Sequence, residues 1–105
     1  MTKIYRGTTP TITYTFSTVD VADIAVAILT VSVNGTVVLE KDITTATVGV
    51  NTLSWLFSQE DTLALTGRRA DFMLNWVLAD GTRGVAENET AVILKNSIEE
   101  VIDAG

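Results

Sequence analysis

The acidic side chains are the first groups in this sequence to test for chemistry, because the chain holds no histidine and no cysteine. The usual proton shuttle, the imidazole and thiolate metal ligands and the thiol nucleophile are therefore missing. Carboxylates cluster as Glu40 with Asp42, Glu60 with Asp61, Glu87 with Glu89, and Glu99 and Glu100 with Asp103. Two of them about 5–9 Å apart could cleave a glycosidic bond, but that needs a sugar cleft, which a short chain full of tight turns has little room to build. Calcium asks for several carboxylates converging from one loop, and no segment has the D-x-[DN]-x-[DN]-G pattern. Each cluster reads as a solvated face.

The cations say equally little. Arg68-Arg69 is the only adjacent basic pair, and with Lys3, Arg6 and Arg83 elsewhere it predicts no phosphate-binding patch. "RGTTP", residues 6–10, has one glycine and no P-loop lysine, so it reads as a turn opening a strand. The N-x-[ST] patterns at Asn34 and Asn88 are better explained as hairpin and strand. We expect no catalytic residue, cofactor or metal site, and no enzyme activity.

The totals point to a single folded domain. A chain of 105 residues supports one hydrophobic core. Its composition, 47% hydrophobic and 19% charged, is that of a globular protein rather than a disordered one. A formal charge of -6 would repel nucleic acid and an anionic membrane surface, so neither is expected as a partner. The opening "MTKIYRGTTP" has no apolar run of signal-peptide length, and no stretch approaches the ~20 residues of a membrane span, which predicts a soluble protein without a Sec signal of its own.

Strand signals dominate the elements. In "TPTITYTF", residues 9–16, a period of two puts Ile12, Tyr14 and Phe16 on one face and threonines on the other, with Pro10 tolerated at the strand's start. Asn34-Gly35 marks a two-residue hairpin that would set Val31 opposite Val38 and Thr30 opposite Leu39. Leu53, Trp55 and Phe57 form the next inward face. Ser58 and Asp61 resemble a capping box opening one helical turn, with Gly67 in the C′ position. Phe72, Leu74, Trp76 and Leu78 face the core before a second hairpin signal, Asp80-Gly81. Simple pairing there would bury Glu87 and Glu89 opposite Leu74 and Phe72 at several kcal/mol each. We therefore predict a bulge or longer loop around Arg83 and Gly84, turning Ala86, Asn88, Thr90, Val92 and Leu94 inward. The sum is an all-β, antiparallel immunoglobulin-like sandwich of six to seven strands with one short helical turn, spanning residues 1–96. Residues 97–105 form a short tail, read as a frayed end or a docking segment.

Three stretches carry a resemblance: "RGTTPTITYTF", "NGTVVLEK" and "SQEDTLAL". Together they resemble small structural proteins encoded in bacteriophage and prophage gene clusters, over most of residues 5 to 95. The resemblance implies a virion component assembled in the bacterial host cytoplasm, either a capsid decoration or head-associated module or part of a tail, baseplate or fibre that binds host carbohydrate or receptor. It implies other phage structural proteins as partners, and a homo-oligomer or many copies on a particle. It carries no active site. Contacts are expected at strand edges and on the apolar side of the Asn34-Gly35 hairpin, with Ile4 and Tyr5 near the start and Ile98, Val101 and Ile102 in the tail as interface residues.

Overall fold

The computed structural model describes residues 2–86 and 89–104. Nine strands are present among them: β1 (Thr2–Tyr5), β2 (Thr11–Thr15), β3 (Ile24–Val33), β4 (Thr36–Asp42), β5 (Thr47–Val48), β6 (Thr52–Leu56), β7 (Arg69–Leu78), β8 (Arg83–Val85) and β9 (Glu89–Leu94). One helical turn, α1 (Gln59–Leu63), lies between β6 and β7, and single 3-10 turns occupy Val21–Asp23 and Ile43–Thr45. The larger sheet runs β1-β9-β7-β3-β4 with β8 beside β7, and the smaller runs β2-β6-β5. All pairings are antiparallel except β1 with β9. This is the immunoglobulin-like arrangement, with β1, β9, β7, β3 and β4 in the places of A′, G, F, C and C′ and β2, β6 and β5 in those of B, E and D. The strands beyond the expected six or seven are the short ones.

Period-two burial builds the core as the alternation requires. Tyr14, Phe16, Leu53, Trp55 and Phe57 from the smaller sheet meet Leu29, Val31, Phe72 and Leu74 from the larger. Trp55 is central: Tyr14 stands edge-on to it at 6.4 Å, and its Nε1 donates to the Asp42 carbonyl at 2.9 Å, tying β6 to the end of β4 across the sandwich. Phe16 meets Trp76 edge-on at 5.2 Å. Both aromatic pairs take the geometry that ring quadrupoles favour.

The local signals fare unevenly. Asn34 and Gly35 both have positive φ, 53° and 79°, as a type I′ turn demands. The capping box at Ser58 and Asp61 is complete. Gly67, however, is not a C′ residue, since α1 ends at Leu63 and caps on Ala64. A Cβ on Gly67 would come within 2.5 Å of Val33 Cγ1, so this glycine lets the loop press against the β3-β4 hairpin.

Register departs from simple pairing in two places, each for a reason visible in the packing. Along β3 and β4, Val33 pairs with Thr36 and Ser32 with Val37, but Val31 pairs with Leu39, leaving Val38 as the extra residue of a bulge. Without the bulge Glu40 would fall opposite buried Leu29; with it, Lys41 does. Lys41 lies over the Phe57 ring at 5.5 Å and reaches Asp61 at 2.7 Å, which a carboxylate at that position could not do.

The second departure bears out the expected longer loop and the inward turn of Ala86, but overturns the inward face expected of the last strand. Leu78 N–H donates to Thr82 O, closing a loop one residue longer than the simple hairpin, and Ala86 N–H then meets Leu74 O. By Glu89 the count has reverted, with Glu89 opposite Phe72 and Ala91 opposite Ala70. Ala91 and Ile93 are therefore the buried residues, not Thr90, Val92 and Leu94. The desolvation cost that argued against this register does not arise, because Glu89 sits at the open end of the sandwich and is exposed. The expectations for Glu87 and Asn88 fall outside the described residues.

Tyr14 carries a pH consequence. Burial, and then the negative charge of Glu89, push its phenol up to about 12. A folded-state value above the unfolded value of about 10 leaves stability intact below pH about 10 and removes it as pH climbs toward 12. The hydroxyl is buried without a hydrogen-bond partner among the described residues. Tyr14→Phe should therefore melt at the same temperature as the native chain or higher at neutral pH, by up to about 1 kcal/mol, and should lose less stability between pH about 9 and 11. Thermal melts across that range check both.

Candidate functional site

The residues expected at interfaces are not brought together. Ile4 is in the core at 2% exposure, paired with Ile93, so it is corrected from surface contact to packing residue. Its neighbour Tyr5 points the other way and is exposed. Ile98, Val101 and Ile102 are exposed along an irregular tail that is nonetheless held: Gln59 Nε2 donates to Ile102 O at 2.9 Å and Gln59 Oε1 accepts from Ile102 N–H at 2.7 Å. Asn96 Nδ2 donates to Arg6 O at 3.1 Å, and Arg6 forms an ion pair with Glu99.

A larger apolar surface lies where the sequence reading placed no emphasis. On the outer face of the larger sheet, Val26 pairs with Val77, Ile28 with Asn75, Asn75 with Val85, and Thr30 with Met73. Val26, Ile28, Met73 and Val85 are all 40–54% exposed and occupy neighbouring positions on three adjacent strands. The two ten-residue strands β3 and β7 make this face long. The apolar run "IAVAIL" that opens β3 held the signal, since a strand apolar at both parities must present one set outward.

A cavity at the end of β9 has a different character. It measures about 660 Å³ and is lined by Arg6, Asn34, Thr66, Gly67, Arg68, Arg69, Ile93 and Lys95. Strand order creates it. Arg6 N–H donates to Leu94 O and Ile93 N–H donates to Arg68 O, so the end of β9 carries Lys95 with Arg6 on one side and Arg68 and Arg69 on the other. A turn fixes Arg6: Thr8 N–H bonds Tyr5 O, Gly7 takes φ 84°, and buried Thr62 ties Thr8 O to α1 at 2.8 Å. Gly67 brings the opposite wall close to Val33 and Asn34. Sequence reasoning missed this convergence because its residues are scattered over some ninety positions.

Among the described residues no three acidic side chains stand close enough to hold a metal, and no helix is long and apolar enough to cross a membrane. Several acidic side chains instead serve the backbone or an ion pair, Asp42, Asp61, Asp80 and Glu99 among them. Asp42 and Asp80 are held below the usual carboxylate range by hydrogen bonds from Thr44 and Thr82 respectively. At Asp61 burial acts to raise the value, but the bonds from Lys41 and Ser58 outweigh it and the net direction is down.

Compared with known proteins, the chain matches no family model, no curated protein and no solved structure.

Proposed function

We propose that this chain is a non-enzymatic assembly module of a bacteriophage particle, a capsid decoration or head-associated protein present in many copies. The reading rests on the exposed apolar cluster of Val26, Ile28, Met73 and Val85 on the outer face of the larger sheet. A contiguous apolar patch on a small domain is a mark of a contact surface, and an ordinary contact covers about 800 Å² per partner. The phage setting is supported by the resemblance of the strand-opening, hairpin and helical-turn motifs. A carbohydrate-binding fibre module is less well supported, since Tyr5, at 52% exposure, is the one exposed aromatic among the described residues.

The test pairs an inventory with a variant. Particles purified from the encoding host should contain the chain at fixed stoichiometry by mass spectrometry, and Ile28→Lys with Met73→Lys should abolish its incorporation. Both positions face solvent, so the double variant should keep its melting behaviour within about 1 kcal/mol. Absence of the native chain from particles would refute the phage setting, and unchanged incorporation of the variant would refute the surface.

A further inference from the structure

We propose that the cavity at the end of β9 is a recognition site for a multivalent oxyanion, a phosphate-bearing group or a cluster of carboxylates. Four of the chain's seven Lys and Arg residues line it and, among the described residues, no acidic residue does, Glu99 reaching only Arg6 at its edge, while the whole molecule carries a charge of -6. Cations gathered against the sign of the net charge mark a local field that attracts anions the rest of the surface repels.

A further observation separates this cavity from a chance grouping of surface charge. Among the described residues, ion pairs join Arg6 to Glu99 and Lys41 to Asp61, and neither involves Arg68, Arg69 or Lys95. Arg6 differs, because its guanidinium already bonds Glu99 and the Leu63 carbonyl and so lines the wall with its charge partly offset. An oxyanion between the two guanidinium forks of Arg68 and Arg69 and the Lys95 ammonium matches the geometry in which charge-assisted hydrogen bonds are strongest. The volume of about 660 Å³ suits a small organic anion or the charged end of a larger ligand.

The site is independent of the apolar face and of the phage setting. Titrating the full chain with pyrophosphate, with citrate, and with acetate at constant ionic strength tests it, read by amide NMR shifts and calorimetry. Saturable binding of pyrophosphate or citrate, with Kd below about 1 mM and shifts confined to residues 6, 34, 66–69 and 93–95, is the expected result. Saturation by pyrophosphate alone identifies a phosphate ligand, and by citrate alone a carboxylate one. Arg68→Gln with Lys95→Gln, both at exposed positions, should weaken binding at least about tenfold. Lys3→Gln with Arg83→Gln removes the same charge outside the cavity and should leave Kd within about twofold. Non-saturating shifts with both multivalent anions, shifts matched by acetate, or equal weakening by the two double variants would overturn the proposal.

Discussion

Trp55→Ala should lower the thermal midpoint by roughly 15–30 °C, the largest effect of any single substitution suggested by this structure. The indole is 1% exposed and spans the sandwich, so truncating it opens a cavity where both sheets meet. Loss of a buried tryptophan costs about 3–5 kcal/mol, and in a domain of this size each kcal/mol moves the midpoint by about 4–8 °C. The Asp42 carbonyl also loses its indole donor at 2.9 Å. Trp55→Phe separates the contributions: it keeps an aromatic ring against Tyr14 but removes the hydrogen bond, and should cost only about 1–2 kcal/mol. A drop for Trp55→Ala of under about 1 kcal/mol would mean the two sheets do not meet on this side chain.

Gly84→Ala should be the most damaging single-methyl addition. A Cβ there would stand 2.5 Å from Trp76 Cε2 and Cζ2. Phe16 packs edge-on with the same ring at 5.2 Å, which limits how far it can shift. Overpacking of this kind costs about 1–3 kcal/mol, and here it should also shift tryptophan fluorescence to the red as Trp76 is displaced toward water. Gly81→Ala is a useful contrast: nothing lies within 4 Å of its added methyl, but its φ of 91° strains any other residue, so it should destabilise without changing the fluorescence. If Gly84→Ala matched the native chain in both readouts, the cross-strand contact between Trp76 and Gly84 would be disproved.

Face assignments in β2, β6 and most of β7 were legible because burial on one side forces a period of two, and Leu53, Trp55 and Phe57 obey it without interruption. Asn34-Gly35 was legible because a backbone with positive φ at two successive residues leaves few side chains to choose from. Bulges were not. Val38 looks like any other strand valine, and what selects it as the extra residue is Phe57 and Asp61 receiving Lys41, a contact between residues twenty apart. Strand β1 escaped notice for a similar reason: its four residues alternate too briefly, and its partner lies at the far end of the chain. The cationic cavity was hidden by the same distance. Arg68-Arg69 gains meaning only when β9 is placed between β1 and β7, and strand order is a tertiary fact that no local pattern encodes.

The parallel pairing of β1 with β9 delays part of the fold during synthesis. Thr2 to Tyr5 emerge long before their hydrogen-bonding partners, Ala91 to Leu94. At about 5–20 residues per second, a ribosome leaves Ile4 without its place for on the order of ten seconds. During that interval the β3-β4 hairpin and the β2-β6 pair can form, while the nascent N-terminal segment offers a bare strand to any neighbour translated from the same message.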